Sequence, residues 1–146
     1  NDKYGHPAGD AVLIEAARRL QAHMRPVDLI ARVGGEEFMM VLPGADEISA
    51  GIAAVELCNA INSKPFTVPG IAQPIEVTIS IGAVIGRDLT RKEDRGDWAE
   101  MGEKRGQDRG ATNVTELISL ADRALYDAKD AGRNQVTLGK NSTAAA

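Results

Sequence analysis

Two apolar, β-compatible runs, Leu29 to Val33 and Phe38 to Leu42, flank Gly34-Gly35-Glu36-Glu37. That order predicts an antiparallel hairpin, with the two glycines expected to supply positive φ at its tip. A lone hairpin is marginal in water, so the rest of the chain must cover its inner face. Upstream, Tyr4-Gly5-His6-Pro7 reads as a turn and Asp10 as the cap of a helix. Its apolar positions Val12, Leu13, Ala16, Ala17 and Leu20 recur three and four residues apart, and Pro26 closes the segment. Downstream, Pro43-Gly44 ends the hairpin and Asp46 to Ile61 reads as a second helix, expected to turn Ile48, Ile52 and Val55 toward the core.

Pro65 to Val68 and Ile75 to Ala83 read as strands, the second alternating Val77, Ile79 and Ile81 against Glu76, Thr78 and Ser80. From Arg87 to Gly110 the composition changes to cancelling charges and scattered glycines around Trp98, which predicts a mobile surface loop. Asn113-Val114-Thr115-Glu116 has the spacing of a capping box. A third helix follows, with Leu117, Leu120, Ala121, Ala124, Leu125 and Ala128 on one side and Gly132 as its left-handed stop. Gln135 to Leu138 is a short last strand, and residues 141–146 are expected to fray. The order α-β-β-α-β-β-α-β predicts an α+β fold, helices packed on a largely antiparallel sheet, in a single domain spanning residues 1–140.

The 146 residues carry a formal net charge of -4. An acidic balance excludes a nucleic-acid or anionic-membrane surface, because each needs a basic patch. No apolar run reaches membrane-spanning length and no secretory leader is evident, so the chain reads as cytoplasmic. Its abrupt polar start without Met reads as a fragment. Cys58, the single cysteine, lies in an apolar run and reads as a buried thiol.

Three clusters carry potential chemistry. At the hairpin tip, Gly34 and Gly35 would let phosphates approach the backbone, and Glu36 and Glu37 offer hard oxygen ligands for Mg²⁺; a plain turn with solvated carboxylates explains the same residues. Lys129 and Arg133 either answer the C-terminal dipole of the third helix or clamp a triphosphate. Arg25 and Asp28 either brace a turn or read a guanine edge. About 20 Å of extended chain, at ~3.3 Å per residue, separates Asp28 from Gly34, so the last pair would form a second site.

Taken together, Asn1-Asp2, Gly5-His6, Gly9-Asp10, Arg25-x-x-Asp28, Gly34-Gly35-Glu36-Glu37-Phe38, Ser80-Ile81-Gly82, Ala121-Asp122-x-Ala124-Leu125-Tyr126-x-Ala128-Lys129 and Gly132-Arg133-Asn134 stand in the order of a known pattern. The chain resembles the GGDEF family of diguanylate cyclases, of the PleD-like response-regulator output type. The resemblance implies a palm-like fold related to nucleotide cyclases. It also implies condensation of two GTP into cyclic di-GMP and pyrophosphate across a homodimer, under an upstream regulatory domain. Asn1 and Asp10 would bind the guanine edge, Gly34 and Gly35 the nucleotide through their backbone, and Lys129 and Arg133 the terminal phosphates. Glu36 and Glu37 would be the catalytic and Mg²⁺ (or Mn²⁺) ligands, and Arg25 and Asp28 the site of product inhibition.

Two departures from the family pattern stand out. The family's first strand, which brings a metal-binding aspartate, would lie before Asn1, so these 146 residues alone are expected to turn over GTP poorly or not at all. Glu56 and Cys58 occupy positions where arginines would help to hold inhibitory product. A cyclic di-GMP receptor without turnover is the alternative reading, and a scaffold that only dimerises is the third.

Overall fold

The computed structural model describes residues 5–86 and 114–140. The expectations for Asn1, the Trp98 loop, the cap at Asn113 and the tail lie outside the described residues. The first helix, α1 (His6–Ala22), starts earlier than the sequence suggested. Gly5 takes φ 82° at the N-cap and Pro7 occupies the first turn, where its missing N–H costs nothing. Asp10 is therefore inside the helix and not its cap. Ala16 and Leu20 are buried, and Val12 packs against them.

The hairpin forms as expected from β1 (Leu29–Arg32) and β2 (Phe38–Val41), antiparallel with Leu29 opposite Val41 and Arg32 opposite Phe38. Alternation puts Ile30, Phe38 and Met40 against the core and leaves Leu29 and Val41 on the outer face. Asp46 caps α2 (Glu47–Asn62) in a reciprocal box: its carboxylate accepts from the Ser49 N–H at 2.8 Å, and Ser49 Oγ accepts from the Asp46 N–H at 3.0 Å. The inward face of α2 is Ala54, Leu57, Cys58 and Ile61. Ile48, Ile52 and Val55, expected inside, are exposed. Both stripes obey the helical period, and the inward one is the stripe that meets Leu20 and Phe66 in the core cluster.

Arg19 fastens α1 to the end of α2. Its guanidinium donates to the carbonyls of Ile61 (3.1 Å), Lys64 and Pro65 (3.2 Å) and lies 3.9 Å from the centroid of the Phe66 ring. A helix C-terminus leaves its last carbonyls without intrahelical donors, and this cation supplies donors there.

The chain from Pro65 to Ser80 is less regular than predicted. Phe66 and Ile75 form an isolated antiparallel bridge, and only β3 (Ile81–Ala83) belongs to a ladder. Val77, Ile79 and Ile81 still pack against the core, so the alternation was a true report of burial. Residues 76–80 have no strand beside them among the described residues, and without a partner no ladder forms. After α3 (Val114–Asp130), β4 (Val136–Leu138) returns parallel to β3. The α+β class holds, with the described strands divided into two two-stranded sheets, β1-β2 and β3-β4.

At its closest approach α3 lies directly on β3. A Cβ built on Gly82 would run into the backbone N of Leu125 and the carbonyl of Ala121, so only glycine fits there. Ala124 and Ala128, small residues on the same helix face, are buried.

Candidate functional site

The hairpin bend closes where the Glu37 carbonyl accepts from the N–H groups of Val33 (2.9 Å) and Gly34 (3.4 Å). Neither Gly34 nor Gly35 adopts positive φ, contrary to the expectation from the sequence. Their value here is space. Nothing lies within 4 Å of a Cβ built on Gly35, and one on Gly34 would meet only the Glu37 side chain, at 3.2 Å.

Beside the bend is a cavity of about 560 Å³ whose lining includes His6, Asp10, Arg32, Gly35, Glu36 and Glu37. The start of α1 and the hairpin tip therefore share one hollow. Lys129 Nζ, near the end of α3, approaches Glu37 Oε1 at 3.4 Å. Both side chains are roughly half exposed, so the pair contributes only ~0 to 1 kcal/mol. Its significance is placement, since it brings a cation of α3 to the carboxylates of the bend.

Arg133 follows in an unusual turn. Gly132 takes φ 115° as expected, and Arg133 and Asn134 also have positive φ, 62° and 48°. The Ala128 carbonyl accepts from the Arg133 N–H at 3.0 Å and from Gln135 Nε2 at 2.8 Å, which holds the turn. The left-handed region costs non-glycine residues of order 1 kcal/mol or more, and such strain collects at functional sites. Arg133 is exposed, and its guanidinium has no partner among the described residues.

At the opposite end of β1, Arg25 and Asp28 form a forked pair. Arg25 Nη2 donates to Asp28 Oδ1 at 2.6 Å and to the Pro43 carbonyl at 3.0 Å, while the Arg25 backbone N–H donates to Asp28 Oδ2 at 2.8 Å. The guanidinium bond holds the Asp28 carboxyl below the ordinary aspartate range. The pair thus braces the turn before β1. Of the two positions expected to bear arginines, Glu56 is exposed on α2, but Cys58 is buried with its thiol toward the Ile79 carbonyl (3.7 Å). Burial pushes that thiol's pKa up, which suits an inert core cysteine.

Glu36 and Glu37 are hard oxygen donors of the right kind for Mg²⁺ or Mn²⁺. The described residues nevertheless hold no group of three His, Cys, Asp or Glu side chains able to surround an ion. Among the described residues the donor set fits in kind, and its two carboxylates leave the remaining positions to water and substrate phosphate. Sequence reasoning gave Arg32 no role and His6 only a place in a turn and in the family pattern. A charged residue in register with the inward-facing Ile30, two positions before a double glycine, was the available signal for Arg32.

The sequence profile described as "Diguanylate cyclase, GGDEF domain" matches residues 1–101. The chain belongs to this family. It is 36% identical over 138 residues to the probable diguanylate cyclase DgcT of Escherichia coli K12, covering 94% of this chain and 26% of that protein. It is 35% identical over 136 residues to the response regulator PleD of Caulobacter vibrioides, covering 93% and 25%. The GGDEF domain thus spans about a quarter of the length of these relatives. Among solved structures, the active GGEEF domain of a diguanylate cyclase from Vibrio cholerae superposes with a TM-score of 0.72 at 25% identity, covering 97% of this chain and 75% of that one. The α+β architecture of this GGDEF domain is the palm-like fold of its structural neighbours. No described helix is long and apolar enough to cross a membrane.

Proposed function

We propose that this domain condenses two GTP molecules into cyclic di-GMP, two copies facing each other with one nucleotide apiece. The observation that carries the reading is the Lys129–Glu37 approach: the glutamate-bearing bend and the basic end of α3 meet beside a cavity that also holds Asp10. Asp10, with Asn1, accepts from or donates to the guanine edge. Open backbone at Gly34 and Gly35 admits the phosphates, and Lys129 and Arg133 hold their far end. Glu36 and Glu37 would hold Mg²⁺ or Mn²⁺, which when bound lowers the pKa of a sugar hydroxyl and offsets phosphoryl charge. Glu36 receives the proton of the 3′-hydroxyl as it attacks the partner nucleotide's α-phosphate, and pyrophosphate departs. Each copy supplies half of the reacting pair, so a monomer is inert.

Arg25 and Asp28 form the product-inhibition site of this reading. Exposed Glu56 repels phosphate and buried Cys58 supplies no cation, which makes inhibition by product loose. In this reading the 146 residues by themselves turn over GTP poorly.

The test is to incubate the full-length protein with GTP and Mg²⁺, assay cyclic di-GMP, and repeat with Glu36→Ala. The expected outcome is product from the parent and a loss of ~10²-fold or more in the variant, the scale of a positioned base. Binding of cyclic di-GMP without turnover would favour the receptor reading, and neither binding nor turnover would leave a scaffold. Full activity in the isolated 146 residues would refute their expected weakness.

A further inference from the structure

Arg32 is the last residue of β1, and its guanidinium folds over the bend. Nε lies 3.2 Å from the Gly34 carbonyl and 3.1 Å from that of Gly35, and Nη2 lies 2.6 Å from the Gly35 carbonyl. In a trans-planar peptide the N–H points opposite to the C=O of the same unit. Turning the Gly34 and Gly35 carbonyls onto Arg32 therefore turns the N–H groups of Gly35 and Glu36 away from it. Neither N–H donates to any described atom, whereas those of Val33 and Gly34 are both engaged by the Glu37 carbonyl.

We propose that Arg32 is a positioning residue for nucleotide binding: it pins the two glycine carbonyls so that the Gly35 and Glu36 N–H groups stand ready for an anionic phosphate oxygen. The inference rests on the GTP reading above and deepens it. Two consequences favour binding. The negative ends of two peptide dipoles, which would repel a triphosphate, are covered by a cation, and two donors are fixed in advance rather than ordered when the ligand arrives. A planar fork suits this task, because one guanidinium spans two successive carbonyls and a lysine ammonium on a flexible stem does so poorly. The glycines complete the device, since the space a Cβ would fill is open at Gly35 and bounded at Gly34 only by the Glu37 side chain.

The experiment compares the full chain with Arg32→Ala and Arg32→Lys in two measurements. Without nucleotide, nitrogen-15 order parameters at Gly34, Gly35 and Glu36 are expected near ~0.85 in the parent and below ~0.6 in Arg32→Ala. With a fluorescent GTP analogue and Mg²⁺, affinity is expected to fall about 10-fold in Arg32→Ala and nearly as far in Arg32→Lys, with partial rescue of Arg32→Ala by added guanidinium ion. An equally rigid bend in Arg32→Ala overturns the proposal. So does binding fully kept by Arg32→Lys, which would show a charge acting directly on phosphate. A parent that binds no GTP at all defeats the functional reading instead, and the relaxation measurement still decides whether Arg32 holds the bend.

Discussion

The two sides of the candidate site are built in opposite ways. On the α3 side the helix backbone is pressed onto Gly82, Ala124 and Ala128 are buried beneath it, and Lys129 and Arg133 rise from the end of that seam. On the hairpin side, Gly35, Glu36 and Glu37 are exposed, and the bend is held by local bonds from Arg32 and by one long ion pair. The two cations thus stand on a close-packed platform, and the carboxylates stand on a locally restrained loop. Close packing tolerates no added volume, whereas open backbone does. Gly82→Ala should therefore cost about 3 kcal/mol, the upper end of ordinary overpacking, because the obstruction is backbone that cannot swing aside. Gly35→Ala should stay within ~0.5 kcal/mol of the parent while weakening GTP binding. Urea unfolding of both variants decides the matter, and equal losses would erase the contrast.

The ion pair that joins the two sides sharpens it further. In Glu37→Gln the ammonium of Lys129 loses its partner, and stability should hold within ~0.5 kcal/mol, as for an exposed pair. With the cation freed, GTP binding in EDTA should tighten by up to ~5-fold, the equivalent of about 1 kcal/mol. Weaker binding in EDTA would instead mean that Glu37 orients Lys129 for the phosphate.

The sequence announced the elements of both sides more clearly than their packing. The hairpin, the apolar face of α3 and the left-handed Gly132 were all readable, because each follows from local chemistry: alternation, helical period and the absence of a Cβ. Two facts needed the assembled molecule. Helix α2 has two apolar stripes of the same period, and only packing against Leu20 and Phe66 selects the stripe of Leu57 and Ile61 over that of Ile48, Ile52 and Val55. Residues 76–80 alternate like a strand, but pairing is a relation between segments, and alternation reports only which side is buried. Within the site, the carboxylates and cations were legible as residue types at known spacing. Arg32 was not, because its contacts depend on which way two glycine peptides are turned.

The smallest expected effect lies away from both sides, on the outer surface of α1. Hydrogen bonds from Arg18, and next from Arg19, lower the Glu15 pKa from 4.5 to about 2. A carboxylate with a depressed folded-state pKa contributes stability that is fully present above its unfolded pKa. That contribution disappears as pH falls from 4.5 through about 2. Glu15→Gln should flatten this part of the stability-versus-pH curve in acid unfolding and leave GTP binding at neutral pH unchanged. The change should be slight because Arg19 does not depend on Glu15 for its place: the carbonyls of Ile61, Lys64 and Pro65 and the face of Phe66 still hold it. Arg19→Ala, which uncaps α2 and bares Phe66, should lose more stability at every pH. A larger loss in Glu15→Gln would mean that the carboxylate, and not the helix end, anchors Arg19.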